Sequence, residues 1–317
     1  MRGLKYWRPG LAADDTQQNQ MTEVVPQIDK TAISPVLIAV DIGNSGMKLG
    51  RFARDRNTSG VGGHSSVNQQ PLPTPSATLE LPIAHATGAF DSSRLADWCA
   101  SNASADTRWS IGSVHRGAGE LLAGTISSWA QLLSVVWPIR KLAPQEIPMP
   151  IRVDEPTRVG IDRLLAALAA NQLRAPEKAA VVIDLGTAIT VDLVEVDGAF
   201  AGGAILPGIG TAGSALADQT DALPHIQLSH SSAPPAALGK STTAAIEAGL
   251  YWGAVGAIEK LIAQLSQSMP TQPDLFITGG AASAVVKSMG SNVQYVPHLV
   301  LAGIALLESD NPGAKKG

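Results

Sequence analysis

The chain of 317 residues contains one cysteine, Cys99. A lone cysteine excludes an internal disulfide and suits a reducing compartment, with a buried, unreactive thiol as its expected state. Aromatic residues make up only 4%, so an aromatic-rich binding face is not expected. No basic run is longer than Lys315-Lys316 and the net charge is −4, which argues against nucleic acid as a partner. No apolar run approaches the roughly 18 residues of a membrane span. The N-terminal MRGLKYWRPGLAADD lacks the apolar middle of a signal peptide. The expected location is therefore the cytoplasm, away from membranes. The histidines at 64, 85, 115, 225, 230 and 298 show no zinc-ligand spacing.

Against these absences stand 45% apolar residues and 31 glycines, enough for a large core with tight turns. Residues 1–35 are polar and aperiodic and are expected to form a structureless extension. The Gly-, Ser- and Pro-rich segment 54–75 is expected to be a long surface loop. Between and beyond them, strands are expected at 36–41, 47–53 and 76–83, then a helix at 91–102 capped by Asp91. Further strands are expected near 107–114, 134–139 and 148–153, with helices at 119–132 and 161–173. From 179 the order repeats: strands at 179–184, 188–196 and 199–206, a helix at 241–266, a strand at 274–278, a helix at 281–289, a short strand at 293–295 and a last helix near 297–307. This order indicates an α/β chain with a mixed sheet in each half, and domains at 36–175 and 176–317.

The repeat is visible residue by residue. VLIAVDIGNSGMKLGRF at 36–52 and AVVIDLGTAITVDLVEV at 180–196 each carry an apolar run, an Asp, one apolar residue, a Gly and a small polar residue before a second strand. Gly43 and Gly186 permit positive φ at the hairpin and leave room for a phosphate to reach main-chain N–H groups. Asp41 and Asp184 end their strands at the hairpin mouths. Two such hairpins facing each other would cradle a triphosphate and its metal, with Lys48 in reach of a phosphate. Either carboxylate could take magnesium, directly or through water, and the residues do not say which takes a monovalent ion. Asp192, further along the second strand, is expected to face solvent.

Three other segments invite a reading. LGKST at 238–242 lacks the upstream glycine and strand of a phosphate loop and is read as a helix start capped by Ser241 or Thr242. GGAILPGIG at 202–210 is either a plain tight turn or a close neighbour of the substrate or of the second phosphate loop. Gly249, Gly253 and Gly256 weaken the helix that contains them by about 1 kcal/mol each, which close approach of another helix, in this chain or in a partner, would offset.

Four segments together resemble type III pantothenate kinase, within the superfamily of actin, sugar kinases and heat-shock ATPases. They are DIGNSGMK (41–48), EPTRVGIDR (155–163), DLGTAITVD with GGAILPGI (184–192, 202–209) and GKSTTAAIEAG (239–249). The resemblance implies two actin-like (ribonuclease-H-like) domains and phosphorylation of the primary hydroxyl of pantothenate by ATP, the first step of coenzyme A synthesis. It implies that Asp41, Ile42, Gly43, Asn44, Ser45, Gly46, Met47 and Lys48 form the first phosphate loop and that Thr187 also contacts ATP phosphate. Asp162 would be the general base. Gly160, Ile161 and Arg163 would bind pantothenate, joined by Thr242 across a homodimer interface. Asp184 would hold a monovalent cation, potassium or ammonium, and Asp41 would serve Mg2+. ITGGAA at 277–282 would lie near the adenosine. The family commonly has a substrate-contacting Tyr where this chain has Val153. Another small-molecule kinase of the superfamily would keep both hairpins without needing Arg163 beside Asp162. A non-catalytic regulatory homologue would have lost some of Asp41, Asp162, Asp184 and Thr242.

Overall fold

A computed structural model describes residues 24–31, 35–53, 71–226, 233–267 and 269–309. Most of the expected N-terminal extension and of the 54–75 loop lies outside them. Residues 24–31 depart from the expectation for their segment. Val25 and Ile28 pack against the core under the first sheet, and Asp29 forms an isolated bridge with Ser104. The apolar side chains of this stretch have a hydrophobic surface to cover, which outweighs the polar character of the segment as a whole.

The first sheet is built from β1 (Val36–Ile42), β2 (Gly46–Ala53), β3 (Ala77–Pro82), β4 (Thr107–Ser113) and β5 (Ile139–Lys141), with α1 (Ser92–Asn102) and α2 (Arg116–Leu133) between strands and α3 (Ile161–Leu173) after them. The second comprises β6 (Ala180–Leu185), β7 (Ala188–Val194), β8 (Phe200–Pro207), β9 (Asp274–Thr278) and β10 (Val293–Tyr295). Its helices are α4 (Ile209–Asp218), α5 (Thr242–Ser266), the short α6 (Ala282–Val285) and the terminal α7 (Leu299–Ser309). The strand orders are β3-β2-β1-β4-β5 and β8-β7-β6-β9-β10. In each, the first strand runs antiparallel to the second and parallel to the fourth. The two halves therefore share one topology, as the repeated hairpin motif implies.

Local chemistry explains most boundaries. β1 and β6 are buried along almost their whole length, which is why they read as continuous apolar runs rather than alternating ones. Asp91 caps α1, its Oδ1 accepting from the main-chain N–H groups of Ser93 and Arg94 at 3.0 Å. Cys99 is fully buried there, and burial pushes its thiol up to about 12, the inert state expected. Between the sheets lies one continuous core. α3 and α7 pack on each other inside it, with Leu37 and Phe52 from the first sheet and Val182, Val194, Phe200 and Phe276 from the second. The helices approach so closely that a Cβ at Gly303 would sit 2.1 Å from the Leu165 carbonyl oxygen.

Three expected elements differ. Residues 134–139 form no strand apart from Ile139. Ser134 adopts φ +55 as the left-handed cap of α2, Val136 is 83% exposed, and Trp137 turns inward to donate from its indole to the Ser104 carbonyl at 2.8 Å. The helix cap overrides the β propensity of the two valines. The segment 148–153 contributes only a single bridge, Ile151 to Phe200. The helix expected at 281–289 is α6 followed by a 3-10 turn at Val286–Ser288.

Candidate active site

The two hairpin turns point at each other. In the first, the Gly43 N–H donates to the Gly46 carbonyl at 2.9 Å; in the second, the Gly186 N–H donates to the Ala188 carbonyl at 3.0 Å. Ser45 Oγ and Thr187 Oγ1, one from each turn, are 2.6 Å apart. Positive φ is not what the turns require, contrary to expectation. Among described glycines it occurs only at Gly88, Gly198, Gly202 and Gly279. A Cβ at Gly43 or Gly186 would make ordinary contacts at 3.5–3.6 Å with carbonyl oxygens of its own turn. These glycines instead keep the space before the main-chain N–H groups clear. Within 41–48, Ile42 and Met47 are core side chains, so only their main chain faces the turn, while Asn44 and Ser45 are exposed.

Behind the turns lie the carboxylates. Asp41 is paired in register with Lys48 on β2, and Lys48 with Glu80 on β3, so these three side chains form a row on one face of the sheet. Lys48 Nζ lies 3.8 Å from Glu80 Oε1. Asp162 stands in the first turn of α3, where Oδ1 accepts from the Arg163 main-chain N–H at 2.8 Å. Gly160 precedes it for want of space: a Cβ there would be 2.5 Å from the same oxygen. The Asp41 carboxyl is pushed up to about 7, first by burial and then by the charges of Asp162 and Asp184, with Lys48 opposing. Asp184 is pushed up to about 6, by burial foremost; Lys48 again pulls it down while Asp162 and Asp192 push it up. Asp162 is raised mainly by burial, against the pull of its neighbour Arg163. Three acids from two sheets and a helix thus share one poorly solvated cleft with a single lysine acting on two of them.

Arg163 and Asp192 correct the sequence reading. Asp192 does not face solvent; it is 1% exposed. Its carboxylate accepts from Arg163 Nε, 3.1 Å from both oxygens, and from Nη2. The guanidinium also lies over the Phe200 ring, 5.5 Å from its centroid. Alternation along β7 fails as a guide because the strand is covered on both faces. Across the ladder Asp192 is paired with Gly203, where a Cβ would meet the Val191 carbonyl oxygen at 2.1 Å and Asp192 Oδ1 at 2.5 Å.

The remaining candidates divide. The 202–210 segment approaches the second turn, not merely reversing the chain. A Cβ at Gly208 would meet the carbonyl oxygens of Gly186 and Thr187 at 2.3 and 2.4 Å, and Thr211 Oγ1 donates to the Thr187 carbonyl at 2.6 Å. Gly279 is packed against Asp184 in the same manner, since a Cβ there would be 2.4 Å from Oδ1. Ile161 is a core residue, 4% exposed. Thr242 is exposed at the start of α5; Ser241 is the cap, accepting from the Ala244 N–H at 3.2 Å. Among described residues no three His, Cys, Asp or Glu side chains group to enclose a metal ion, and no helix is long and apolar enough to cross a membrane. A cavity of about 450 Å³ at the C-terminal end of α5 is lined by Glu259, Gln272, Met289 and Asn292 among others, and by none of the residues above.

The sequence matches the model of the type III pantothenate kinase family over residues 37–264. The chain belongs to the type III pantothenate kinase family. It is 38% identical to a type III pantothenate kinase of Anaeromyxobacter sp. (strain K) over 163 residues, which are 51% of this chain and 62% of that relative. It is 31% identical to one from Parafrankia sp. (strain EAN1pec) over 240 residues, 71% of this chain and 93% of the relative. Among solved structures, it resembles an ethanolamine utilization protein from Carboxydothermus hydrogenoformans at 14% identity and TM-score 0.42, over 90% of this chain and 93% of the other. It also resembles an archaeal actin homologue at 12% identity and TM-score 0.43, over 87% and 99%. Three of the four motif segments, 41–48, 155–163 and 184–192 with 202–209, converge on the paired turns and the acids behind them; the fourth, with Thr242, lies apart.

Proposed function

We propose that the chain transfers the γ-phosphoryl group of ATP to the primary hydroxyl of pantothenate, the first step of coenzyme A synthesis, in the cytoplasm. The observation that carries the reading is the meeting of the two matched turns, Ser45 to Thr187 at 2.6 Å, directly before Asp41, Asp162 and Asp184. Phosphoryl transfer demands positioning and charge stabilisation more than covalent chemistry. Main-chain N–H groups at the tips of the two turns, at Asn44, Ser45 and Thr187, with the Ser45 and Thr187 hydroxyls and Lys48, suit the phosphates. Asp162 suits the general base: burial raises its carboxyl, which brings a base closer to working pH. It would orient the hydroxyl and take its proton late. Arg163, with Nη1 unused among described residues, suits the substrate carboxylate, flanked by Gly160 and Ile161.

After burial, the charges of Asp162 and Asp184 raise the proton affinity of Asp41, and those of Asp162 and Asp192 raise that of Asp184, so a cation beside them would relieve the repulsion. Too few protein ligands converge for a complete cage, which suits Mg2+, since it keeps most of its water. In this reading Asp41 serves Mg2+ and Asp184 a monovalent ion, potassium or ammonium. Bound with ATP, Mg2+ neutralises charge on the transferring oxygens. A homodimer sharing its site fits the position of Thr242. Thr242 lies at the start of a helix whose Gly249, Gly253 and Gly256 have nothing within 4 Å of a Cβ position, leaving that face open to a second copy.

A coupled assay of ADP release, with and without potassium, tests the proposal. Pantothenate-dependent turnover, stimulated by potassium and absent with glucose or acetate, is expected. Absence of pantothenate-dependent turnover in both conditions defeats it.

A further inference from the structure

The ion pair between Arg163 and Asp192 spans 29 residues and joins α3 to the second sheet. Asp162 and Arg163 are chain neighbours in one helical turn, yet no ion pair joins their side chains. The guanidinium lies instead against Asp192, with Nε and Nη2 on the carboxylate and the Phe200 ring on one face. Gly203 opposes Asp192 in the ladder, where a Cβ would strike the Val191 carbonyl oxygen first and Asp192 Oδ1 next. A buried acid is a demanding feature, since isolated burial of a carboxylate is strongly unfavourable.

We propose that Asp192 is a positioning residue that holds the Arg163 guanidinium away from Asp162 and fixes its remaining edge for an anionic acceptor substrate. Without Asp192, a flexible arginine beside a poorly solvated carboxylate pairs with it. That pairing would neutralise the base and withdraw the substrate's anion partner together. Asp192 reaches the acceptor side through its hydrogen bonds to Arg163 and the phosphate side only as a charge felt at Asp184, so its removal is expected to affect the acceptor more than the nucleotide. The inference rests on the kinase reading above.

The experiment is a double-mutant cycle of Asp192→Asn and Arg163→Gln, with kcat and KM for pantothenate and for ATP. Asp192→Asn keeps the shape and removes the charge. It is expected to lower kcat/KM for pantothenate by about tenfold or more, the scale of losing one buried charge partner, while KM for ATP stays within about twofold. In the Arg163→Gln background the same change is expected to add less than about twofold, because residues acting as a unit are not additive. Equal losses in both backgrounds, a parallel rise in KM for ATP, or wild-type behaviour of Asp192→Asn would overturn the proposal. So would loss of cooperative melting in both Asp192→Asn and Asp192→Ser, which would mark the acid as structural. If the unsubstituted chain fails to turn over pantothenate, the kinase reading itself fails. Turnover by that chain with an indifferent Asp192→Asn removes this inference alone.

Discussion

Asp41 holds its proton to about 7 where an unstrained carboxyl would lose it near 3.8, and the sign of the consequence can be worked out. The folded chain binds this proton more tightly than the unfolded chain. Its contribution to stability is therefore complete below about pH 4 and is lost as pH rises through about 7. Asp184, at about 6, acts in the same direction over a narrower window. The melting temperature of the ligand-free protein is expected to carry a falling component between pH 4 and 7, flattened in Asp41→Asn. Added Mg2+ should raise the melting temperature more at pH 8 than at pH 5, because it binds the ionised form. An unchanged slope in Asp41→Asn, measured by calorimetry, would contradict a shared cleft. For Asp162→Asn the expectation is a fall in turnover of about 10²–10⁴-fold, the usual loss for a general base, with ATP affinity retained by isothermal titration. A smaller fall would remove the acid from that role. The residue scale is also where sequence reading was least complete. Asp41, Asp162 and Asp184 were legible because strand ends and a helix start expose them as exceptions to apolar runs. Asp192 was not, because its partner Arg163 comes from α3, on another element of the chain.

At the scale of elements, both hairpins were legible, since each combines a buried run with a turn of small residues. The segment 134–139 was not: a left-handed serine ending α2 decides its path, and apolar content alone cannot foresee that. The 202–210 turn belongs between these cases. Its glycine density was evident, but the reason for Gly208 is the second hairpin turn lying against it. Gly208→Ala must displace the carbonyls of Gly186 and Thr187. It is expected to destabilise by about 1–3 kcal/mol, as overpacking does, and to weaken ATP binding, read by denaturant melts and nucleotide titration. The open glycine face of α5 yields a contrasting expectation. In a monomer, Gly253→Ala would stabilise the helix by about 1 kcal/mol, whereas Gly253→Arg would leave the fold intact. If a second copy covers this face, Gly253→Arg should shift sedimentation toward the monomer. Unchanged sedimentation would locate any pairing elsewhere.

The whole molecule is two copies of one sheet topology closed on a common core, with α3 and α7 at its centre. That duplication was visible in the repeated motif, but the packing of the last helix against the first sheet was not, because nothing in 299–309 names its neighbour. Leu299, Leu301, Ile304 and Leu307 are all nearly inaccessible to solvent, and α7 contacts β1, β2 and β4 as well as α3. A chain ended after residue 298 would uncover that surface and is expected to collect in the insoluble fraction or to lack a cooperative thermal transition.

The placement of α7 also bears on synthesis. A ribosome delivers residues 36–175 long before 299–309, so the first sheet leaves the exit tunnel without the helix that seals one of its sides. Until α7 emerges, Leu37 and Phe52 lack part of their final cover, and the nascent polypeptide carries an exposed apolar face throughout the translation of the second sheet.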